Sequence, residues 1–183
     1  MRRKGNAEGA DTKATSNAGN ANVLADFLLL LFKIVLVVLF FVILFTCVFG
    51  ITQVRDNSMA PAFREGDLVI YYRFDRTYNV QDAIALSVDG ETEVRRVVAV
   101  AGDEVDMKKD GLAINGNMQI ESNIYTQTLP YVDGITFPVT LADDQVFVLG
   151  DNRTESRDSR IYGPVEKKAT RGKVVTCIRR RGF

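Results

Sequence analysis

The chain has 183 residues and equal numbers of basic and acidic side chains, 23 of each, so its net charge gives no indication of a nucleic-acid partner. It contains no histidine, which excludes a Ser-His-Asp triad or a Cys-His dyad within the chain. Cys47 and Cys177 lie far apart without CxxC spacing. We therefore expect neither a zinc site nor a disulfide framework, and no metal or other cofactor.

The first 26 residues differ in composition from the rest of the chain. Residues 1 to 22 are rich in Gly, Ala, Asn and charged side chains, with no large apolar residue after Met1. Such a composition cannot bury a core, so we predict a disordered tail over residues 1 to 26.

Residues 27 to 49 form a long apolar run that only Lys33 interrupts. This length is sufficient to cross a hydrocarbon core of roughly 30 Å, and a lysine near the start can extend toward the headgroups. A cleaved signal peptide fits less well, since no small-x-small site follows, and Phe45 and Thr46 argue against lipoprotein processing at Cys47. We predict a single transmembrane helix in a bacterial cell membrane.

Basic residues indicate the orientation of this helix. The N-terminal tail is the more basic flank, since only Arg55 lies just beyond the apolar run. The tail carries Arg2, Arg3, Lys4 and Lys13. The positive-inside rule then places the N-terminus in the cytoplasm and residues 51 to 183 outside the membrane.

Residues 51 to 183 read as a mainly β domain. Short segments dense in Val, Ile, Tyr and Phe are separated by turns such as Asp89-Gly90 and Asn115-Gly116. The predicted strands cover residues 67 to 74, 83 to 88, 92 to 102, 145 to 150 and 172 to 178. We expect antiparallel sheets in a barrel-like assembly, with residues 117 to 143 as a long excursion and no helix of useful length.

Two polar stretches are candidates for chemistry. In "DNSMAPAFREGD", residues 56 to 67, Ser58 precedes Met59 and Pro61, although a serine in a turn is ordinary by itself. In "GDNRTESRDSRIYGPV", residues 150 to 165, charges alternate in sign. Charge-rich loops are usually only solvated, but this alternation predicts a self-bracing web of ion pairs that positions another group. Its members are Asp151, Arg153, Asp158 and Arg160, with Ser156 and Ser159 adding hydroxyls.

The third stretch is "EVRRVVAVAGD", residues 93 to 103, which reads as a half-buried strand ending in a turn. Consecutive residues of a strand point to opposite faces. Arg95 and Arg96 therefore cannot both face the same side of the sheet.

Together these motifs resemble type I signal peptidases: an N-terminal anchor, S-M-x-P, R-V-V-x-x-x-G-D and G-D-N-R-x-x-S-x-D-S-R, over roughly residues 27 to 183. The resemblance implies a membrane-bound serine endopeptidase that removes signal peptides from exported proteins. It also implies coiled antiparallel β-sheets and a Ser/Lys dyad, which agrees with the absence of histidine.

The resemblance assigns roles to individual residues. Ser58 corresponds to the nucleophile, whose backbone N–H would help form the oxyanion hole. Ser156 corresponds to the hydroxyl that orients the base. The supporting residues are Met59 and Pro61 of the nucleophile turn, the strand arginine Arg96, the ion pair Asp158 and Arg160, the turn residues Asp151 and Arg153, and Gly102-Asp103 at the end of the base-bearing strand.

This chain departs from the family at the general base. The lysine that precedes the strand arginine, here Arg96, is replaced by Arg95. A buried lysine can become a neutral amine, whereas a guanidinium has a pKa above about 12 and stays charged. Arg95 therefore cannot accept the Ser58 proton as lysine does, although it can still favour the alkoxide electrostatically.

A second resemblance is to the signal-peptidase-like branch associated with sortase-assembled pili, carried by "GDLVIYYRFDRTYNVQD", "NIYTQT" and "CIRRRGF". Two hypotheses follow: an active peptidase for signal peptides of exported or pilin precursors, and a non-cleaving accessory protein that binds pilin precursors. In either case an extended peptide could bind the cleft by strand addition.

Overall fold

The computed structural model describes residues 8 to 121, 124 and 126 to 179, and residues 8 to 22 by their backbone alone. The chain divides into two compact units, Met1–Phe45 and Thr46–Phe183. The first consists largely of helix, and the second contains all the strands of the described chain.

One long helix, α1, runs over Glu8–Val48. Its segment Val23–Val48 is long and apolar enough to cross a membrane, and that segment is unburied within the protein. We predicted disorder for residues 1 to 26, but the helical backbone begins at Glu8, while residues 1 to 7 lie outside the described residues. A composition that cannot bury a core does not prevent a helical backbone, because the hydrogen bonds of a helix are local.

Eleven strands and two short helices follow in the described chain. The strands are β1 Phe49–Gln53, β2 Leu68–Tyr72, β3 Ala83–Val88, β4 Glu91–Ala99, β5 Glu104–Lys108, β6 Gly111–Ile114, β7 Asn117–Met118, β8 Val139–Thr140, β9 Gln145–Leu149, β10 Val165–Glu166 and β11 Thr170–Ile178. The helices are α2, Ser159–Tyr162, and a 3₁₀ turn, Lys167–Ala169.

The strands form two antiparallel sheets. The larger has the order β1-β2-β11-β3-β4-β9-β10, and the smaller has the order β7-β6-β5-β8. The mainly β, antiparallel fold with one N-terminal apolar helix is therefore confirmed. The five predicted strands all exist, with boundaries that differ by a few residues.

Several elements were not predicted. Strand β1 was missed because its apolar residues continue those of the helix without a break, and Gly50 stands inside it where the ring of Tyr71 packs. The hairpin of β5 and β6, in which Lys108 pairs with Gly111, was also missed. Helix α2 lies within the charged loop and spans only four residues, too few for a periodic pattern.

The core of the second unit has three apolar clusters. One of them lies beneath the nucleophile turn and contains Val54, Met59, Val69 and Val94, with Phe63 packed against it. Another contains Phe147 and Leu149 and fills the space next to the smaller sheet. Strand β9 contributes to the second cluster and leads directly into the charged loop, so packing of β9 determines where that loop begins.

Candidate active site

The turn that carries Ser58 is anchored by apolar packing and backbone hydrogen bonds. Met59 is fully buried, and its carbonyl accepts from the N–H of Phe63. The Ala60–Pro61 peptide bond is cis. Ser58 itself is fully buried, and its carbonyl accepts from the N–H of Asn152 at 2.9 Å, which ties the turn to the charged loop.

The hydroxyl of Ser58 lies between a carboxylate and a guanidinium. Its Oγ donates to Oδ1 of Asp56 at 2.6 Å and accepts from Nη1 of Arg95 at 2.8 Å. The backbone N–H of Ser58 also donates to Oδ1 of Asp56, at 3.1 Å. The N–H that the resemblance assigns to the oxyanion hole is therefore already bonded to a carboxylate.

Arg95 projects from β4 toward Ser58 and is 2% exposed. Its Nε donates to the carbonyl of Arg157 at 3.0 Å, and its Nη1 donates to the carbonyl of Val94 at 2.7 Å. Its Nη2 lies 2.9 Å from Oε2 of Glu93 and 3.8 Å from Oδ2 of Asp56. These contacts hold a guanidinium at the position where the resemblance predicts a lysine.

Glu93 shares the buried surroundings of Arg95. Its Oε2 is close enough to Arg95 for an ion pair, but the angle does not make a hydrogen bond. Burial raises the pKa of the Glu93 carboxyl, and the positive charge of Arg95 only partly opposes this. The site therefore contains a carboxyl group that is costly to ionise.

Gly150 allows the two polar stretches to approach each other closely. A Cβ at this position would overlap the side chain of Ser156 and the carbonyl oxygen of Ser58. The N–H of Gly150 donates to Oδ2 of Asp158 at 3.1 Å. Only a residue without a side chain leaves room for this contact between the nucleophile turn and the loop.

The charged loop is braced partly from within and partly by other segments. Asp158 is fully buried, and its carboxylate pairs with Arg160 through bonds of 2.9 and 2.8 Å. Arg160 also lies 4.4 Å from the centroid of the Tyr131 ring and donates to the carbonyl of Arg153. This pair agrees with the predicted web.

The other two charged residues of the loop bind outside it, which corrects the expectation of a self-bracing web. Asp151 accepts two hydrogen bonds from Arg96 of β4, at 2.7 and 2.6 Å. Arg153 binds Glu121 at 2.9 and 2.6 Å and also contacts Thr128. The alternation of charge is therefore not a set of local pairs, because two of its members hold distant segments against the loop.

Ser156 differs from the role that the resemblance gives it. Its hydroxyl is buried, and it has no hydrogen-bond partner among the described residues. The polar hydrogens of Arg95 are directed to Ser58, Val94 and Arg157 instead. Arg95 therefore gives the Ser156 hydroxyl no hydrogen bond.

The structure adds residues that the sequence reasoning did not select. Asp56 contacts Ser58, and its position two residues before that serine is the spacing of a local side-chain turn, which could have indicated it. Glu93 stands two residues before Arg95 and so shares its strand face. Glu121 had no signal, because its partner Arg153 is 32 residues away.

A small cavity of about 60 Å³ lies beside Asp56 and Arg95. It is bordered by residues 53 to 56 on one side and residues 91 to 95 on the other. The side chains of Arg55 and Glu91 connect these two borders through an exposed ion pair of 2.6 Å. This volume is enough for a few water molecules, so a peptide segment requires the two borders to move apart.

Comparisons with known proteins indicate the family to which this chain is similar. The family model described as "Signal peptidase, peptidase S26" matches residues 25 to 178. Signal peptidase I of Bacillus amyloliquefaciens is 29% identical over 136 residues, which cover 69% of this chain and 74% of that protein. Signal peptidase IB of Staphylococcus aureus strain Mu50 is 30% identical over 140 residues, covering 66% and 73% of the two chains.

Among solved structures, the crystal structure of a signal peptidase I from Enterococcus faecalis V583 is 27% identical. It covers 55% of this chain and 97% of its own, with a TM-score of 0.45. The family assignment itself follows from the match over residues 25 to 178, which is most of the chain and includes every residue of the site described above. This chain belongs to the signal peptidase family, peptidase S26.

Proposed function

We propose that this protein is a membrane-anchored serine endopeptidase that cleaves signal peptides from exported precursors, with Ser58 as the nucleophile. The single observation that carries the proposal is the position of the Ser58 hydroxyl, which donates to Asp56 at 2.6 Å and accepts from Arg95 at 2.8 Å. A hydroxyl with a proton acceptor on one side and a positive charge on the other has both groups that its activation requires.

Asp56 is the proton acceptor in this proposal. The Oγ of Ser58 forms a bond to the scissile carbonyl carbon while its proton moves to Oδ1 of Asp56. That proton then passes to the leaving amine as the peptide bond breaks, and water hydrolyses the acyl-enzyme ester. A carboxylate is a weaker base than the neutral amine of a lysine, so we expect slower turnover than a Ser/Lys site gives.

Arg95 contributes charge and position rather than proton transfer. Its guanidinium is buried and lies 2.8 Å from Oγ of Ser58, where a positive charge favours an alkoxide over the hydroxyl. For the oxyanion hole, the N–H of Ser58 must exchange its bond to Asp56 for one to the substrate oxygen. Protonation of Asp56 during attack weakens that bond and helps the exchange.

The substrate segment is proposed to lie in extended form between residues 53 to 56 and residues 91 to 95, beside Ser58. Entry at full depth requires the exposed Arg55–Glu91 ion pair to open. Exposed pairs of this kind contribute little stability, so their opening is not a large barrier.

The same proposal includes the location of the protein. The apolar segment Val23–Val48 is taken as the anchor, with the N-terminus in the cytoplasm and the β domain outside. Basic residues of the N-terminal tail support this orientation. The proposal also divides the chain into an N-terminal tail over residues 1 to 26, a transmembrane helix over residues 27 to 49 and a domain outside the membrane over residues 51 to 183.

A second candidate function is a non-cleaving accessory protein for sortase-dependent pilus assembly, with pilin precursors and sortase as partners. The observation in its favour is Arg95, whose guanidinium stands in place of a base and whose hydrogen bonds hold Ser58 in a saturated, fully buried state. In this role the groove would bind a precursor without cutting it.

Cleavage of a signal-peptide-bearing precursor distinguishes the two functions. The detergent-solubilised full chain is incubated with a pilin precursor and a secreted precursor from its own host, and cleavage is followed by mass. We expect wild type to cleave and Ser58→Ala and Asp56→Asn to be inactive. Asp75→Asn is the control, because Asp75 also accepts from a backbone N–H two residues on, that of Thr77, without contacting a nucleophile.

Retained cleavage by Asp56→Asn would remove Asp56 from the proton path but leave Ser58 as the nucleophile. Absence of cleavage by wild type, together with binding of the pilin precursor that depends on Ser58 and its neighbours, would overturn the peptidase proposal in favour of the accessory role.

A further inference from the structure

A second cavity of about 530 Å³ lies on a part of the β domain away from Ser58. Four cationic side chains line it: Arg73, Arg76, Lys168 and Arg171. The remaining lining residues are Cys47, Phe74, Ser87, Ala169 and Thr170, so no acidic residue is among the described residues that border it. Such a concentration of one charge suits an anionic group.

The charges in this cavity are largely uncompensated. Within the described part of the chain, Lys168 is the only one of the four cations with a carboxylate partner, Glu166 at 2.6 Å. Arg73 donates to the carbonyl of Phe49 at 3.1 Å, and Arg171 donates to the hydroxyl of Ser87 at 3.3 Å, both neutral acceptors. Asp75 follows Phe74 in sequence, but its carboxylate accepts from the N–H of Thr77.

The cavity lies at the end of the apolar helix. Cys47 belongs to the last turn of that helix and lines the cavity. The backbone N–H of Arg73 donates to the carbonyl of Val48, the last helical residue, at 3.0 Å. Because Val23–Val48 has the length and composition of a membrane span, its end reaches the level of the lipid headgroups.

Aromatic residues beside the cavity also indicate that it lies at the level of the lipid headgroups. Phe49 and Tyr72 have ring centroids 5.7 Å apart, and Tyr72 and Phe74 have centroids 6.0 Å apart. Phe74 is 68% exposed. Aromatic rings concentrate where hydrocarbon meets headgroups, and anionic headgroups attract clustered Arg and Lys at the same depth.

We infer that this cavity binds the headgroup phosphate of an anionic phospholipid. Arg73, Arg76 and Arg171 are its main ligands, and Phe74 contacts the glycerol and upper acyl region. The inference rests on the membrane anchor included in the proposed function but not on cleavage at Ser58. Retention of the protein in membranes after a carbonate wash tests the anchor separately.

The test measures binding of a fluorescent phosphatidylglycerol to the full chain in micelles of an uncharged detergent. Phosphatidylcholine with the same label is the reference lipid, and inorganic phosphate is the competitor. We expect wild type to prefer phosphatidylglycerol, and the double variant Arg76→Gln/Arg171→Gln to lose at least about tenfold in affinity for it.

The matched control is Lys108→Gln/Lys109→Gln, which removes the same charge from the smaller sheet, outside the cavity. It should bind like wild type, and thermal unfolding should show that both double variants are folded. Equal binding of the two lipids, or an equal loss in the control, would overturn the inference. Full competition by inorganic phosphate at matched concentration would also overturn it, because the cavity would then be a small-anion site.

Discussion

Nη1 of Arg95 donates to Oγ of Ser58 across 2.8 Å, at the point where the resemblance to signal peptidases predicts a lysine amine. The guanidinium stays charged, so in its present form the contact supplies charge but no base. Two observations indicate that the rest of the site still suits a lysine. The hydroxyl of Ser156 is buried without a partner, and Ser58 keeps its position on the anchored turn.

Arg95→Lys should therefore increase the rate of precursor cleavage. A buried lysine provides a neutral amine next to Ser58 and a partner for the Ser156 hydroxyl. A positioned base increases a reaction rate by about 10²- to 10⁴-fold. We expect Arg95→Lys to cleave the precursor at least about tenfold faster than wild type. The measurement is kcat/KM on the same precursor, with Arg95→Gln as the uncharged control that supplies no base. A lower rate in Arg95→Lys would show that the guanidinium itself is needed.

Removal of the buried carboxylate of Asp158 should destabilise the protein strongly. Asp158→Asn leaves the buried guanidinium of Arg160 without its charged partner and weakens the bonds from Gly150 and Arg160 N–H groups. Breaking a buried pair from one side costs about 3–5 kcal/mol of the free energy of unfolding. Denaturant unfolding of the solubilised protein measures this loss.

Asp89→Asn is the matched comparison for Asp158→Asn. It breaks the Asp89–Arg157 pair, which has a similar distance of 2.6 Å but exposed side chains. Solvent screens that pair, so its loss should change stability far less. Equal effects of the two variants would show that burial of the Asp158–Arg160 pair is unimportant.

Gly150→Ala should disturb the site directly. Its Cβ would overlap the Ser156 side chain and the Ser58 carbonyl oxygen, and the latter is backbone and cannot rotate away. We expect a loss of about 1–3 kcal/mol in stability together with reduced cleavage. Gly116→Ala is the control: it carries backbone strain at a positive φ but meets open space. If the control lowered cleavage as much as Gly150→Ala, the contact at Gly150 would not be the cause.

The stability of the fold should depend on pH through Glu93. Its pKa is raised in the folded state by burial, with Arg95 opposing, so the folded state disfavours the carboxylate. At low pH the carboxyl is protonated in both states and adds no penalty. As pH rises through the unfolded and then the folded pKa, wild type loses stability relative to a permanently neutral variant.

The stability of Glu93→Gln relative to wild type should therefore be greater at about pH 7 than at about pH 4. Unfolding by denaturant at both values measures the difference, and Glu91→Gln, on an exposed side chain of the same strand, is the control. A gap between Glu93→Gln and wild type that stays constant with pH would contradict the burial of the Glu93 carboxylate.

Sequence motifs predicted site residues that local patterns alone would not have identified. The contacts that were not predicted were missed for clear physical reasons. Strands β2, β3, β4, β9 and β11 were predicted because dense β-branched and aromatic runs end at turn residues. Ser58 and Arg95 were selected because the motifs fix their positions along the chain, and the structure places them in contact.

The partners of the charged loop were not predicted because they are distant in sequence. Arg153 binds Glu121, and Asp151 binds Arg96, across 32 and 55 residues. Asp56 was overlooked for a different reason, since an aspartate in a turn most often only caps backbone N–H groups. Asp56 also accepts from the backbone N–H of Ser58. Only the position of the Ser58 side chain shows the second contact of Asp56, which is with Oγ of Ser58.

The contacts between the charged loop and the excursion have a consequence for how the protein opens. Arg153 holds Glu121, Arg160 donates to the carbonyl of Leu129, and the hydroxyl of Tyr131 donates to the carbonyl of Ser156. We therefore expect these irregular segments to exchange amide protons as one cooperative unit with the site rather than as independent surface loops. Insertions near Leu129 or Tyr131, which surface loops normally tolerate, would displace the residues that surround Ser58.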